Sequence, residues 1–275
     1  MRLTHDTGRA AWLWASGVMN RFPPVIDHTI VAAEPTDDGW VIVMRDISGA
    51  LLPDDRMLTR AESRRMLEAA TALHCTFRGE RVEGLCHLGD HLSLFCPGTA
   101  ARERGGASPV FEWIERGWDL FPDVVPSDVV MAIHAVHERP DRLADELDQC
   151  ASTLIHGDLW LANVGLQPDC VVILDWGTAT QAPPAFEFTT YLTGAWSRIM
   201  STREELIDDF RAISGDHDER ALQLSFIGTF AEYGWNNVLD AAEHPDPAKR
   251  AREAADLAWW IDRVRRALET AWSPV

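Results

Sequence analysis

Four polar residues punctuate the otherwise apolar segment 154–177, LIHGDLWLANVGLQPDCVVILDWG, namely His156, Asp158, Asn163 and Asp175. An amide oxygen and a carboxylate that meet, here from Asn163 and Asp175, suit Mg²⁺, which proteins hold by one or two carboxylates together with substrate phosphates. Asp158 would then remain free to accept a proton. Phosphoryl transfer needs this set of groups: a carboxylate base beside an Asn and an Asp that hold the metal ion.

Two apolar runs separated by a turn must position these residues. Residues 163–166 and 171–174 are predicted strands, and the polar residues 167–170 between them are typical of a short hairpin turn. We expect Asp158 in a tight loop after a helix, Asn163 at the start of the first strand and Asp175 at the end of the second. The alternative is a capped turn in which Asp158 and Asn163 bond local amides.

Most of the remaining chain is predicted to be helical, so the fold class is α+β, mainly α. Apolar spacing predicts a helix within residues 8–20, and a capping box of Thr59 and Glu62 predicts another that reaches residue 75. Residues 28–33 and 40–44 are predicted strands joined by a turn over residues 35–39. A second capping box is expected at residues 201–204.

The segment resembles the aminoglycoside phosphotransferase and choline kinase-like group of small-molecule kinases, relatives of the protein kinases. The match is H-G-D-x-x-x-x-N at residues 156–163, followed by I-x-D at residues 173–175. The resemblance implies that Asp158 is the catalytic base and that Asn163 and Asp175 are the Mg²⁺ ligands. It also implies that His156 fixes the catalytic loop, which Glu187 supports, although Glu stands there in place of the commoner Asp. The implied donor is ATP, and the implied acceptor is a hydroxyl of a small, aminoglycoside- or amino-alcohol-like molecule.

The strand at residues 40–44 and the residues after it resemble the hinge of that family, which joins a small β lobe to a helical lobe. The backbone of Met44, Arg45 and Ile47 would then face the adenine of the nucleotide. By this resemblance, residues 1–48 are a remnant of the N-terminal lobe. Residues 49–275 are the helical C-terminal lobe of a protein-kinase-like fold, with a catalytic β-hairpin. The structural alternative is an ordinary strand at the surface, because one apolar strand is not specific.

No lysine and no glycine-rich loop precede the hinge. A kinase of this group carries a strand lysine on the nucleotide phosphates, whereas Lys249 is the only lysine in the chain. Arg2, Arg9 and Arg21 offer a charge, but not on a rigid strand. We therefore expect that most of the N-terminal lobe is lacking, because Met1 is an internal start or because the lobe has been lost. The second hypothesis is a non-catalytic remnant that acts as a binding or interaction module.

Charge and composition exclude several other classes of protein. The net charge of −18 disfavours nucleic acid and anionic membranes as partners and favours a cationic small molecule. No apolar stretch approaches a membrane span and the N-terminus lacks a signal peptide, so we expect a cytoplasmic protein. The position of Lys249 excludes a P-loop, and the absence of G-x-S-x-G disfavours a Ser-His-Asp hydrolase.

Acidic residues among the later predicted helices offer a surface for such a cation. Asp208, Asp209 and Glu232 lie near aromatic residues in the sequence, an arrangement that suits an amine or a sugar. The alternative, which we favour, is that these residues form solvated helix faces.

Overall fold

The computed structural model describes residues 8–106, 108–215 and 218–273. Within these residues the chain forms two compact units. Residues 8–87 and 151–215 form a unit of helices and strands, called here the mixed unit, whereas residues 88–150 and 218–273 form the helical unit. The predicted boundary between residues 48 and 49 is not tested by this division and stays a prediction. Among the described helices, none combines the length and apolar character that a membrane span requires.

The secondary structure is mainly α-helical, as predicted. The helices are α1 (Arg9–Ala15), α2 (Arg60–Phe77), α3 (Leu88–Leu92), α4 (Pro97–Glu103), α5 (Val110–Val124), α6 (Ser127–Glu138), α7 (Pro140–Asp148), α8 (Pro184–Ala195), α9 (Arg203–Ser214), α10 (Glu219–Glu243) and α11 (Pro247–Thr270). The strands are β1 (Ile26–Asp27), β2 (Ile30–Thr36), β3 (Gly39–Met44), β4 (Thr153–Ile155), β5 (Val164–Leu166), β6 (Val171–Ile173) and β7 (Thr180–Ala182).

All of the described strands lie in the mixed unit, in three small sheets. The predicted hairpin of β5 and β6 is present, with Val164 opposite Ile173, and β1 pairs with β6 in parallel. Strands β2 and β3 form a second antiparallel hairpin. Strands β4 and β7 form a third antiparallel pair. The sequence did not predict this pair, because a strand of three residues is too short to show alternation.

Two helix starts follow from side-chain caps. The capping box of Thr59 and Glu62 is confirmed at the start of α2. The second capping box lies one residue later than predicted, between Thr202 and Glu205. The hairpin turn was also predicted too long, because β2 continues through Pro35 to Thr36. Pro35 is tolerated there because a strand of a two-stranded sheet has a free edge, where a missing N–H costs nothing.

Helices α2, α8 and α9 give the mixed unit its helical core. Tyr191 on α8 is fully buried, and its hydroxyl hydrogen-bonds the Ser63 hydroxyl on α2 at 2.8 Å. Asp209 on α9 is also buried and accepts from the Arg60 Nε atom on α2 at 2.7 Å. Ion pairs and apolar contacts therefore hold α2, which packs beside β4, in a fixed position. Strand β4 leads directly into the segment that carries the candidate site.

Candidate active site

The predicted catalytic loop begins where β4 ends, not where a helix ends. This corrects the prediction of a helix before Asp158, since residues 153–155 are a buried strand paired with β7. Gly157 has φ 85°, a left-handed conformation that costs glycine little, so the chain can turn sharply between His156 and Asp158. After Asp158 the loop closes through a hydrogen bond from Trp160 N to the Asp158 carbonyl at 2.8 Å.

Asp158 and Asn163 are brought into direct contact. The Asn163 Nδ2 group donates to the Asp158 carbonyl at 2.9 Å and to the Asp158 carboxylate at 3.1 Å. Both side chains are partly buried. Because the amide nitrogen of Asn163 is engaged in these bonds, its carbonyl oxygen Oδ1 is the atom left to serve as a ligand.

Asp175 follows β6 and is tied to the same loop through its neighbour. The Leu174 backbone N–H donates to the Asn163 carbonyl at 2.8 Å, which fixes the start of β5 beside the end of β6. Asp175 itself has φ 58° and ψ 64°, and its side chain is exposed. A left-handed Asp is uncommon and is found where the surrounding structure holds it in place, often at functional sites.

The ring of His156 connects the loop that carries Asp158 with the end of the hairpin that precedes Asp175. Its Nε2 atom lies 2.6 Å from the Leu174 carbonyl, and its Nδ1 atom accepts from the Asp158 backbone N–H at 3.2 Å. These partners correspond to a neutral ring with the proton on Nε2. Burial lowers the pKa of His156, although the carboxylates of Asp158 and Asp175 act to raise it. Both carboxylates are therefore within electrostatic reach of one buried ring.

Glu187 supports the loop from below, in the first turn of α8. Its Oε2 atom accepts from His156 N at 2.6 Å and from Gly157 N at 3.4 Å, and the residue is only 2% exposed. A buried carboxylate that binds the amides at a sharp turn restricts the position of the following residue, which is Asp158. The role in catalysis that the sequence resemblance implies for Glu187, support of the catalytic loop, stays a prediction.

The donor set fits Mg²⁺ in a site completed by a substrate. Asp175 offers an exposed carboxylate and Asn163 an amide oxygen, both hard oxygen ligands of the kind Mg²⁺ prefers. Across the described residues, no group of three or more His, Cys, Asp or Glu side chains could hold a metal ion. Such a pair suits an ion that arrives with phosphate oxygens as its further ligands.

The predicted hinge residues lie at the end of β3 and directly after it, and the chain that follows them contacts the catalytic hairpin. Met44 ends β3 and is 43% exposed, while Arg45 N donates to the Thr29 carbonyl at 3.0 Å. The Ile47 carbonyl accepts from Ala50 N at 2.8 Å. Two backbone groups of the predicted hinge are therefore already hydrogen-bonded within the chain. Their contact with an adenine stays a prediction.

The segment after the hinge packs closely on β5. Leu166 N donates to the Ala50 carbonyl at 3.0 Å, and a Cβ added to Gly165 would lie 2.8 Å from that same oxygen. Glycine is thus required for this close approach. This backbone contact places Ala50, three residues after the predicted hinge residue Ile47, beside the last residue of β5, the strand that begins directly after Asn163.

Arg9 has a role that the sequence did not reveal. It is buried, and its guanidinium donates to the Gly84 carbonyl at 3.2 Å and to the Gly177 carbonyl. Arg9 thus holds the turn after Asp175. Arg21, another arginine considered as a substitute for the lysine, pairs with Glu80, and Arg2 lies outside the described residues. A basic residue within an apolar helix was the only signal available for Arg9.

The acidic residues considered as an acceptor surface are not all solvated, contrary to the alternative we favoured. Asp209 is 4% exposed and binds Arg60 and Arg64, so it is unavailable to a ligand. Glu232, in the helical unit, is fully buried, and its carboxylate lies 2.9 Å from the His91 ring. Asp208 is exposed and lies 3.4 Å from Arg211.

Comparison with known proteins gives one family and one fold. The model of the APH phosphotransferase enzyme family matches residues 7–224. No curated protein sequence matches the chain. Among solved structures, the chain is similar to the aminoglycoside phosphotransferase APH(3'')-Id of Streptomyces rimosus ATCC10970, solved in complex with ADP and streptomycin. The TM-score is 0.52 and the identity 18%, over 83% of this chain and 82% of that one.

Two further structures show the same fold. A choline/ethanolamine kinase family protein of Mesorhizobium loti has TM-score 0.50 and 14% identity, over 97% of this chain and 84% of that one. The spectinomycin phosphotransferase APH(9)-Ia, in complex with ADP and spectinomycin, has TM-score 0.51 and 12% identity, with the same coverage of 97% and 84%. At these identities the likeness concerns the fold, which is the mainly α, kinase-like fold that the sequence predicted.

Proposed function

The chain belongs to the phosphotransferase enzyme family, and from this premise we propose that it transfers a phosphoryl group from Mg²⁺·ATP to a hydroxyl of a small molecule. The observation that carries the proposal is the direct hydrogen bond at 3.1 Å between Asn163 and Asp158. It keeps a candidate base and a candidate metal ligand side by side.

In this proposal, Asp158 accepts the proton of the acceptor hydroxyl as the oxygen attacks the γ-phosphorus, while the bond between that phosphorus and the β,γ-bridging oxygen breaks and ADP leaves with the electron pair. Asn163 holds the Asp158 carboxylate in position through its amide nitrogen and presents its amide oxygen to the metal. Asp175 supplies the second protein oxygen. When bound, Mg²⁺ would offset the negative charge of the phosphates. His156 and Glu187 keep the loop in this conformation and do not touch the reacting atoms.

We propose a cationic acceptor of the aminoglycoside or amino-alcohol class. The support is the net charge of −18, which attracts cations to the protein surface. The named ligands of two similar structures, streptomycin and spectinomycin, belong to this class of compound.

The test is nucleotide turnover with a small panel of acceptors. Purified protein is incubated with Mg²⁺ and ATP, and ADP release is measured with streptomycin, spectinomycin, choline and ethanolamine. We expect acceptor-dependent release from the wild type and at least a hundredfold less from Asp158→Asn, because general base catalysis contributes about 10²–10⁴-fold. Asp169→Asn is the matched control, since Asp169 is an exposed carboxylate in the turn of the same hairpin.

A second candidate function, a non-catalytic binding module, has one specific observation in its favour. Lys249, the only lysine, is exposed on α11 in the helical unit and not on a strand. No acceptor-dependent ADP release by the wild type, with equal thermal melts for wild type and Asp158→Asn, would favour this candidate. Equal turnover by the wild type and Asp158→Asn would instead remove Asp158 from the mechanism.

A further inference from the structure

A small cavity lies in the mixed unit, between α2, α8 and α9. The centre of a water molecule can reach about 10 Å³ of it, close to the smallest volume that holds one water. Most of its walls are apolar, including Leu67, Phe188 and Phe210, and these side chains are buried. Four lining residues carry polar groups, namely Thr71, His74, Glu187 and Tyr191, and His74 and Glu187 are the two whose side chains can be charged.

His74 is a buried histidine whose ring lacks a partner at one nitrogen. The residue is 4% exposed, and its Nε2 atom has no hydrogen-bond partner within residues 8–106, 108–215 and 218–273. Burial lowers the pKa of His74 to about 3, so the ring is neutral at physiological pH and carries one N–H donor and one acceptor. Buried polar groups of this kind are normally satisfied, often by an internal water molecule.

The position of His74 connects the cavity to the candidate catalytic loop. Its backbone carbonyl accepts from the Thr153 hydroxyl at 2.9 Å, at the start of β4. Glu187, which also lines the cavity, holds the His156 and Gly157 amides at the end of β4. His74 therefore lines the same cavity as the residue whose carboxylate supports the loop, and its backbone carbonyl is bonded to the strand that leads into that loop.

We propose that His74 is a positioning residue: a water molecule in this cavity joins its Nε2 atom to the carboxylate of Glu187 and so restrains the loop that carries Asp158. The water accepts or donates at the ring nitrogen and donates to the carboxylate, which is acceptor-only when ionised. The cavity supplies the polar partners that a buried water requires. A shift of Glu187 would move the His156 and Gly157 amides and, through them, Asp158. The role of His74 in positioning Asp158 for catalysis rests on the proposed function, whereas the water bridge does not.

The first test is a high-resolution crystal structure of the wild-type protein. We expect one water in the cavity, about 3 Å from both His74 Nε2 and a Glu187 oxygen. A dry cavity, in a map that shows other buried waters, would overturn the proposal. A direct bond between His74 and Glu187 without water would overturn it as well.

The second test measures the restraint itself, by amide hydrogen exchange in three variants. His74→Leu removes the polar ring, and His74→Gln keeps a polar group at the cavity. His137→Leu is the matched control, because His137 is a partly buried histidine of the helical unit whose ring bonds the Ala231 carbonyl at 2.8 Å, so the substitution also removes a polar ring from a helix. Urea is added so that all proteins are compared at equal global stability.

We expect His74→Leu to exchange at the His156 and Gly157 amides at least tenfold faster than His137→Leu, and His74→Gln to remain near the wild type. Equal exchange at these amides in His74→Leu and His137→Leu would show a general effect on stability and would overturn the proposal. If His74→Leu does not fold, the crystal structure and His74→Gln decide. These readouts need no enzymatic activity, so a failure of the proposed function would appear separately, in the ADP release assay. In an active enzyme, His74→Leu should lower kcat while the KM for ATP stays within about twofold.

Discussion

Replacement of Glu187 tests how the candidate catalytic loop is held. Glu187 accepts from His156 N at 2.6 Å with a carboxylate that is only 2% exposed. A hydrogen bond to a charged group contributes about 1.5–3 kcal/mol, and one between neutral groups about 0.5–1.5 kcal/mol. The bond from Gly157 N to Glu187, at 3.4 Å, is long and contributes little to the free energy of unfolding. Glu187→Gln should therefore lower the free energy of unfolding by about 1 kcal/mol, the contribution of the charge.

Glu187→Ala should cost more, because it leaves the buried His156 N–H without a partner. That N–H alone costs about 1–3 kcal/mol, and the lost side-chain packing adds to it, so we expect about 3 kcal/mol in total. Urea unfolding followed by tryptophan fluorescence measures both values from the transition midpoints, provided that the slope is unchanged. Glu80→Gln is the control, since Glu80 forms an exposed ion pair with Arg21 and should cost under about 0.5 kcal/mol. A loss for Glu187→Ala no larger than that of Glu80→Gln would refute the reasoning.

Three further changes have defined outcomes. Thr29 is fully buried with φ 64°, an outlier for a β-branched residue. Thr29→Gly should be more stable than Thr29→Ala by about 1 kcal/mol in urea unfolding, because glycine alone relieves the left-handed strain. Thr59→Ala removes the side-chain cap of α2 and should lower the free energy of unfolding by about 1 kcal/mol, measured by the same urea unfolding. Burial lowers the pKa of His137 to about 4, so between pH 6.5 and pH 4 the unfolded chain binds a proton that the folded one does not. His137 should therefore lower the free energy of unfolding as the pH falls through this range, by up to about 1.4 kcal/mol per unit. His137→Gln should remove this share of the pH dependence and leave the share of the buried His74, whose pKa is also lowered.

Local signals predicted the elements that can be recognised from a short stretch of sequence. The capping box of Thr59 and Glu62 marked the start of α2, and two apolar runs around a turn marked the β5–β6 hairpin. Strands β4 and β7 were missed because they stabilise each other across 29 positions of sequence: Thr153 pairs with Ala182. No local pattern of three residues contains that information.

The site shows the same limit. The motif at residues 156–163 located the loop and its polar residues. The contact between Asp158 and Asn163 is local, because these residues belong to the same short loop. The surroundings of His74 and Arg9 depend on residues about 100 or more positions away, Glu187 and Gly177 respectively. His74 carries no sequence feature that distinguishes it from an ordinary core histidine, and the single signal for Arg9 was its place in an apolar helix.

Binding of Mn²⁺, a paramagnetic substitute for Mg²⁺, tests the central claim most directly, namely that Asn163 and Asp175 hold the metal of a bound nucleotide while Asp158 does not. Electron paramagnetic resonance of free Mn²⁺, titrated with protein in the presence of ADP, gives the dissociation constant without any need for an acceptor. We expect Asn163→Ala and Asp175→Asn to weaken Mn²⁺ binding at least about tenfold, because each removes a ligand and loss of even an outer partner of a metal ligand costs about 10–100-fold. Asp158→Asn should leave the affinity within about threefold of the wild type, because the amide oxygen of Asn at this position can still accept from Asn163 Nδ2 and so keep that ligand in place. Wild-type affinity in Asp175→Asn, or an equal loss in Asp158→Asn, would contradict the account.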